Sequence, residues 1–383
     1  MDLFAGCGGF SEGFRSFSTT GHAREHAFST VAAVEYAPAA AATFQANHVG
    51  AKVMCVDIEK FDAYDFEGGI DVITGGPPCQ GFSGLGKGDT FDPRNSLWEQ
   101  YARIVSQVRP KAFALENVDL FFKSYEYERL QEAVQPRGPL ADYTLAEGIL
   151  NSADYGVPQA RRRAIVIGTH RSVGKAITLP APTHAKVPAR TDGLLLFDAE
   201  PRLLPWVPVD LVFERSAALK ISGTFLPDRQ GAGNIAGPFY TREIHIGRNP
   251  TALSLARYQA IPAGGNRVNL RGVEAEVGGR IVYLGTESWD RHHNGSGDVM
   301  GRLRLGQPSV TIRTEFYKPE KGRYLHPLED RPITHYEAAL IQGFPEDYLW
   351  HGTKIEIARQ IGNAVPVGLA RAVAEAIHHR LAT

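Results

Sequence analysis

The sequence predicts an α/β protein, with a doubly wound, mostly parallel sheet over residues 1–170 and a second, smaller domain over residues 171–330. Strand-like apolar runs alternate with helical patterns in the first part, which is typical of a parallel sheet covered by helices. After residue 170 this alternation stops, and proline, glycine and arginine are scattered through the chain. Helical periodicity returns near Thr334, so residues 331–383 are predicted to return to the first domain.

Each predicted element of the first domain has a local signal. Strands are predicted where short apolar runs end at glycine, proline or polar residues, and helices where apolar residues recur every three or four positions. A proline near the first turn supports the helix that begins at Pro38. The predicted strands cover residues 1–4, 29–35, 52–56, 70–74, 111–115, 143–149 and 164–168. The predicted helices cover residues 10–17, 38–47, 96–108, 336–342 and 367–381.

The composition is that of an ordinary folded chain, with 43% hydrophobic and 22% charged residues. No apolar run approaches the roughly 20 residues that span a bilayer, and the first residues do not resemble a secretory signal. We therefore expect no membrane partner and a cytoplasmic location. The formal net charge is −1, so a nucleic-acid partner requires a local basic face. Three scattered cysteines exclude a disulfide framework or a cysteine-rich zinc site, and no metal is expected.

Three consecutive strand ends carry residues that suit a nucleoside-bearing ligand. The glycines of Gly6–Gly9 follow the first strand and let the backbone approach a ligand closely. Glu35 ends the second strand, where a carboxylate can bind both ribose hydroxyls, and Asp57 ends the third, where it can accept from an adenine amino group. Taken singly, the turn is also consistent with an ordinary βα connection, and each acid with a helix cap or a solvated loop residue.

The fourth predicted strand is followed by the rigid segment Gly75–Pro78 and then by Cys79. A thiolate is the reactive form of cysteine, so Cys79 is a candidate nucleophile at the ligand edge, with a structural cysteine as the alternative. Glu116 and Asn117 end the neighbouring fifth strand. A carboxylic acid beside a thiol can assist nucleophilic addition by protonating the acceptor, although a helix cap or an ion pair would also explain Glu116.

A run of arginines opens the last strand of the first domain. Alternation along a strand places Arg161 and Arg163 on one face and Arg162 on the other. Two arginines on the active face can hold the Glu116 carboxylate and an oxygen or phosphate of a substrate. A solvated basic run is the alternative.

Together these residues form blocks whose order resembles that of the C5-cytosine DNA methyltransferases, from Asp2 to about Ala370. The Pro-Cys-Gln block is specific when the Glu-Asn-Val and Gly-Asn-Ala-Val-Pro blocks follow it. The six blocks are Asp2–Gly9, Gly76–Ser83, Glu116–Val118, Gln159–Arg163, Gln342–Pro345 and Gln360–Pro366.

The resemblance implies a DNA (cytosine-5)-methyltransferase with the Rossmann-like fold of S-adenosylmethionine-dependent methyltransferases. Such an enzyme transfers a methyl group to C5 of a flipped-out cytosine in a specific duplex sequence, through a covalent adduct between Cys79 and C6. It yields S-adenosylhomocysteine and needs no metal. The resemblance also implies double-stranded DNA as partner, a monomer, a nucleoid-associated, prokaryotic-type cytoplasmic location, and a link to restriction-modification. Residues 171–330 would be the target-recognition domain.

The resemblance also implies roles for individual residues. Cys79 is the nucleophile, Glu116 contacts N3 and the exocyclic amine of cytosine, Asn117 supports Glu116, and Arg163 holds the base with Arg161 as its neighbour. The expected cofactor-binding residues are Phe4, Gly6, Gly8, Glu35, Tyr36, Asp57, Ile58, Pro77, Leu97, Asn363 and Val365. The expected DNA-binding residues are Gln80, Ser83, Lys87, Arg94 and Arg267, of which Ser83, Lys87 and Arg94 belong to a loop over 81–95 that resembles the family's mobile catalytic loop.

The chain also departs from the family pattern, since Tyr336 and Leu340 stand where members often carry arginine. Two other classes remain open at this point. An RNA cytosine methyltransferase on the same domain is disfavoured, because the transfer-RNA-directed branch usually carries a Cys-Phe-Thr element and no cysteine follows Cys79. A catalytically silent DNA-binding paralogue is disfavoured by the presence of Cys79, Glu116 and Arg163. The arginines between 242 and 323 are candidates for base contacts, above all those of 258–267 and 302–304.

Overall fold

The computed structural model describes residues 1–19, 26–78, 97–186, 203–291 and 298–382. These residues divide into two units, of which the first contains Met1–Gly156, Arg161–Pro205 and Ala364–Thr383, and the second contains Val157–Ala160 and Trp206–Asn363. In chain order the elements are β1 (Asp2–Leu3), α1 (Gly9–Arg15), β2 (Ala32–Val34), α2 (Pro38–Asn47), β3 (Lys52–Met54), β4 (Val72–Gly75), α3 (Leu97–Val108), β5 (Ala112–Val118), α4 (Tyr125–Ala133), β6 (Tyr143–Asn151), β7 (Arg162–His170), β8 (His184–Ala185), β9 (Leu204–Pro205), α5 (Asp210–Ala217), β10 (Phe239–Tyr240), α6 (Ala252–Ala260), β11 (Glu274–Val277), β12 (Arg280–Tyr283), α7 (Glu287–Arg291), α8 (His335–Ile341), β13 (Leu349–Trp350), α9 (Lys354–Asn363) and α10 (Val367–Leu381).

The first unit is built on a seven-stranded sheet in the order β3-β2-β1-β4-β5-β7-β6. Strands β1 to β5 are parallel to one another, whereas β7 is antiparallel to both β5 and β6. The predicted mostly parallel sheet is therefore confirmed, with one reversed strand. Because β7 runs backwards, its first residues lie at the edge where the parallel strands end.

Alternation along the strands supplies an apolar layer to each face of this sheet. Phe113 and Leu115 of β5 belong to a core that includes Tyr101 of α3 and Leu130 of α4. Ala112 and Ala114 face the other way, into a core formed with α1 and α10. Helices cover both faces, which explains why β5 reads as a continuous apolar run from Ala112 to Leu115.

The second unit contains short helices and two-stranded ladders in place of a large sheet. Strand β10 pairs with β13, and β11 pairs with β12 in an antiparallel hairpin whose turn residues Gly278 and Gly279 both have positive φ. A small apolar core gathers α6, the hairpin and Leu325, with Tyr258 and Leu270 fully buried. Among the residues that the structure describes, no helix is both long and apolar enough to cross a membrane.

The unit boundaries differ from the limits at 170 and 330 that the sequence suggests. Residues after β7, up to Pro205, remain with the first unit, because Thr183 donates a backbone hydrogen bond to Asp154. Residues 331–363 belong to the second unit, where Arg331 forms a two-pronged ion pair with the buried Glu337 of α8. In the C-terminal part of the chain, the residues from Ala364 onward are assigned to the first unit.

Close packing between α1 and α10 depends on Gly13, which leads to a stability prediction. A Cβ at this position would lie 2.3 Å from Ala370 Cβ and 2.7 Å from the Arg371 backbone nitrogen. We expect Gly13→Val to force the helices apart and to lower the free energy of unfolding by about 1–3 kcal/mol. Thermal denaturation measures the change. Gly69→Val is the matched control, since a Cβ at Gly69 makes an ordinary 3.7 Å contact; equal losses for the two variants would contradict the prediction.

Candidate active site

The turn after β1 lies against the end of β2. Gly6 and Gly8 have φ values of 55° and 93°, which favour glycine. The Gly6 backbone N–H donates to Glu35 Oε2 at 2.8 Å, and the Ala5 N–H donates to the Val34 carbonyl at 3.1 Å. A Cβ built on Gly6 would meet no atom within 4 Å. The turn therefore has open space beside it, into which a ligand can fit.

Glu35 is the anionic group at this edge. Its second oxygen, Oε1, accepts a hydrogen bond from the Ala37 backbone N–H at 2.8 Å. Burial raises the pKa of Glu35, while the N–H groups of Ala37 and Gly6 oppose that rise. Each carboxylate oxygen has more than one lone pair, so both can accept a further hydrogen bond from a ligand hydroxyl.

The other residues expected at a cofactor site have varied surroundings. Tyr36 is 74% exposed, whereas Ile58 is part of the apolar core beneath the sheet edge. Asp57 caps the 3-10 helix Ile58–Lys60, because its Oδ1 accepts from the Glu59 N–H. The side chains of Phe4 and Leu97 are half-buried and pack on the core. Those of Pro77 and Val365 are buried. Asn363 is exposed and belongs to the second unit.

Glu116 forms an ion pair with Arg163, with Glu116 Oε1 2.7 Å from Arg163 Nε. The register of β5 against β7 explains the pair, because Val118 lies opposite Arg163 and places Glu116 one diagonal step away. Glu116 is 8% exposed and the Arg163 side chain 14% exposed. The structure thus brings together the acid and the arginine that the sequence places 47 positions apart, since 163 − 116 = 47.

Asn117 connects the end of β5 to the proline turn after β4. Its Nδ2 donates to the Pro77 carbonyl at 3.0 Å, and its Oδ1 accepts from the Val118 N–H. These bonds go to the backbone on either side, and the expected support of Glu116 by Asn117 stays a prediction. Gly76 allows the close approach, since a Cβ there would lie 3.2 Å from Glu116 Oε2. Glu116 therefore lies directly beside Gly76, three residues before Cys79 in the sequence.

The arginine run has the alternation that the sequence predicts. Arg161 is buried and Arg162 is exposed, while Arg163 is half-buried. Ser152 fixes the entry into β7 through two bonds: its N–H donates to the Arg161 carbonyl, and its Oγ accepts from the Arg161 N–H. Sequence reasoning missed Ser152, and a lone serine after a strand carries no signal that would reveal it.

Several expected site residues lie outside the described residues. These are Cys79 and the four DNA-binding candidates Gln80, Ser83, Lys87 and Arg94.

A chain of amides in the second unit was also missed. The Ile312 N–H donates to Gln159 Oε1 at 2.8 Å, Gln159 Nε2 donates to Gln342 Oε1 at 2.7 Å, and Gln342 Nε2 donates to the Ile361 carbonyl. Gln159, Gln342 and Ile361 belong to three of the six sequence blocks. The presence of one member of the amide chain in each of these three blocks is the signal that could have indicated a shared structural role.

Two of the candidate DNA-contacting arginines of the second unit, Arg267 and Arg302, are buried. Arg267, expected as a DNA contact, is only 8% exposed and begins the 3-10 helix Arg267–Leu270. Arg302 is 4% exposed and donates to backbone carbonyls. Their burial leaves Arg304, which is exposed, as the accessible arginine of the 302–304 candidate.

Comparisons with known proteins place the chain in a family. The family profile described as C-5 cytosine-specific DNA methylase matches residues 1–198 and 265–379. The Type II methyltransferase M.XorII of Xanthomonas oryzae pv. oryzae is 31% identical over 392 residues, covering 97% of this chain and 82% of that protein. The Type II methyltransferase M1.HphI of Haemophilus parahaemolyticus is 29% identical, covering 98% and 86%.

Among solved structures, a prophage-encoded protein of E. coli described as a DNA modification methyltransferase has a TM-score of 0.66. It is 23% identical and covers 100% of this chain and 99% of its own, so it supports the fold. The α/β fold is that of a methyltransferase. The chain belongs to the C-5 cytosine-specific DNA methylase family, and the expectation of a DNA cytosine-5 methyltransferase is confirmed at that level.

Proposed function

We propose that the protein methylates C5 of a flipped-out cytosine in a specific duplex sequence, with S-adenosylmethionine as methyl donor and Cys79 as nucleophile. The observation that carries this proposal is the ion pair between the buried Glu116 and the half-buried Arg163, which lies beside Gly76, three residues before Cys79 in the sequence. A flipped base is required because the reacting carbons cannot be reached inside the stack. Double-stranded DNA is then the substrate, and the active form is a monomer without a metal.

The edge formed by the first three strands suits the methyl donor. S-adenosylmethionine supplies an electrophilic methyl group on a sulfonium, and its ribose carries two hydroxyl donors. Glu35 has acceptor capacity left after its bonds to Gly6 and Ala37. Open space beside Gly6 and the exposed ring of Tyr36 offer room and an apolar face. The other residues that this proposal assigns to the donor are Phe4, Gly8, Asp57, Ile58, Pro77, Leu97, Asn363 and Val365.

The chain's own groups perform the addition to the base. The Cys79 thiolate forms a bond to C6, while Glu116, in the carboxylic-acid form that this step requires, donates its proton to N3, so that the π-electron pair of the C5–C6 bond becomes available at C5. Arg163 orients the Glu116 carboxyl group and also binds the oxygen of the base. A planar guanidinium can do both, because its N–H donors point toward different acceptors. C5 would then take the methyl group, with S-adenosylhomocysteine as the leaving group. Water would remove the C5 proton, the C6–S bond would break to restore the thiolate and the aromatic ring, and N3 would return its proton to Glu116.

The proposal extends to DNA binding and to biological context. The second unit supplies target recognition, and Gln80, Ser83, Lys87 and Arg94 contact phosphates or bases next to the flipped nucleotide. The relatives named as Type II methyltransferases support a role in restriction-modification and a cytoplasmic, nucleoid-associated location.

Bisulfite sequencing of DNA from a host that expresses the protein tests the proposed function. We expect protected cytosines within one short sequence context, and none in a host carrying the empty vector. Absence of protected cytosines at any site, with the protein folded and present, would overturn the proposal.

Replacing Glu35 should separate donor binding from chemistry. A glutamine side chain would keep the size of the glutamate but lose its charge and one acceptor oxygen, so we expect Glu35→Gln to weaken S-adenosylmethionine binding about tenfold or more. Isothermal titration measures the affinity, and kcat at saturating donor is expected to stay near that of the wild type. Glu59→Gln is the matched control, because Glu59 is exposed on the adjacent 3-10 helix. An unchanged affinity for Glu35→Gln would contradict this placement.

A further inference from the structure

A turn in the second unit, which we call the clamped turn and define as residues 262–265, is unusually constrained for an exposed segment. The Gly265 N–H donates to the Pro262 carbonyl at 2.9 Å, and Gly264 has a φ of 68°. Pro262 and Ala263 are exposed. The turn begins directly after Ile261, the C-cap residue of α6. Arginine side chains donate hydrogen bonds to backbone carbonyls of α6 and of the turn.

Arg302 lies under the turn and uses all of its donors. A guanidinium has five N–H groups, and Arg302 forms five hydrogen bonds, four of them to backbone carbonyls. Two go to the end of α6 and three to the segment 326–330. The acceptors are Ile261 O at 2.7 Å, Tyr258 O at 2.8 Å, His326 O at 3.0 Å, Glu329 O and Asp330 Oδ1.

Arg323 binds the clamped turn itself. Its Nη1 donates to the carbonyls of Gly264 and Gly265 at 2.8 and 3.1 Å, and also to the Arg302 carbonyl. Its Nη2 lies 2.6 Å from Asp298 Oδ1, and this hydrogen bond holds the pKa of Asp298 below its ordinary value. The Gly265 carbonyl also accepts from the Arg302 N–H at 3.0 Å. The backbone of the turn is thereby fixed from two sides.

Burying two guanidinium groups is an expensive way to stabilise a fold. Removing each charge from water costs several kcal/mol, which apolar residues of the same volume would not. The hydrogen bonds from Arg302 and Arg323 hold particular backbone carbonyls in fixed orientations, which apolar packing does not do. The arrangement therefore favours a role in which the position of the turn matters.

Arg304 is an arginine whose side chain lies next to the clamped turn. It is exposed, and a Cβ built on Gly264 would lie 3.6 Å from Arg304 Cγ, so its stem lies along the turn. Within the described ranges no hydrogen bond or ion pair engages its guanidinium, and the nearby carboxylate of Asp298 is paired with Arg323. The family profile also leaves out residues 199–264, which end at this turn. An exposed arginine without a partner among the described residues suits recognition of the bidentate N7/O6 edge of guanine.

We propose that Arg304 contacts a guanine of the target sequence in the major groove, and that Arg302 and Arg323 are positioning residues that hold the turn for it. This inference rests on the proposed function, and it names a residue that determines which sequence is methylated.

Methylation of a randomised duplex library, analysed by bisulfite sequencing, tests the role of Arg304. We expect Arg304→Ala to lose the preference for guanine at one position, with discrimination there falling about tenfold or more. Arg280→Ala is the matched control, because Arg280 is an exposed arginine of the hairpin, and it should keep the wild-type preference. If Arg304→Ala instead bound every DNA sequence more weakly, and its affinity depended less on salt concentration, Arg304 would contact a phosphate and the proposal would be overturned. An unchanged preference would also overturn it.

Arg302→Lys tests positioning, since lysine keeps the charge but cannot make the five directed bonds. Assayed well below its melting temperature, this variant is expected to lose discrimination at the same position as Arg304→Ala. A lowered melting temperature with unchanged preference would mean a structural role alone. Failure of the proposed function is distinguishable, because then the wild type itself would protect no cytosine in the library.

Discussion

Cys79→Ser is expected to abolish methyl transfer, because the serine hydroxyl is a far weaker nucleophile than a thiolate at neutral pH. Transfer of tritiated methyl groups to duplex DNA measures the loss, which should reach the background of the assay. The substitution removes no group from the cores described above, so the melting temperature and the affinity for S-adenosylmethionine should match those of the wild type.

Cys55→Ser provides the control for the thiol itself. Cys55 is an exposed free cysteine after β3, and its replacement should leave turnover unchanged. Covalent trapping on a duplex containing 5-fluorocytosine gives a second measurement, since the wild type should form a stable complex and Cys79→Ser should form none. Substantial turnover by Cys79→Ser, or trapping of that variant, would show that another residue attacks the base.

Glu116→Gln is expected to lower kcat by about 10²–10⁴-fold, the range for loss of a general acid. Glutamine fits the space beside Gly76 and can still meet Arg163, so packing and donor affinity should be retained. Single-turnover methylation with saturating donor and DNA isolates the chemical step. The expected KM values stay within a few-fold of the wild type, because the lost interaction belongs to the transition state.

Glu126→Gln is the control for burial of a carboxyl group. Glu126 lies on α4, is 3% exposed, and its oxygens have no hydrogen-bond partner among the residues the structure describes. This substitution should leave kcat unchanged. If Glu116→Gln reduced donor affinity as strongly as it reduced kcat, the proposed contact with N3 would be wrong.

The elements with strong local signals were predicted well from the sequence. The bounds of α2 and α10 agree with the predicted helices 38–47 and 367–381, because proline at the first turn of α2 and the apolar spacing of α10 are local properties. The direction of β7 was not predicted, since alternation of apolar residues is the same in either direction. Its reversal is what places Arg163 beside Glu116.

The second unit was harder to predict for a physical reason. An arginine in a polar stretch is usually solvated, and its burial depends on carbonyl groups supplied by distant segments. Arg302 obtains them from α6 and from the segment 326–330, which are separated from it by more than 20 residues each way. The sequence therefore predicted candidate base contacts within 258–267 and 302–304 without distinguishing buried from exposed arginines.

The amide chain from Ile312 to Ile361 has a polarity, because each link donates toward the next carbonyl. Gln159 and Gln342 must each present one oxygen and one nitrogen in a fixed order, which neither a carboxylate nor an ammonium can do. Deamidation of Gln342 would place two oxygen atoms opposite each other and introduce a negative charge into a buried site. Chemical ageing at this single side chain would thus interrupt a chain of hydrogen bonds that joins four separate stretches of the sequence.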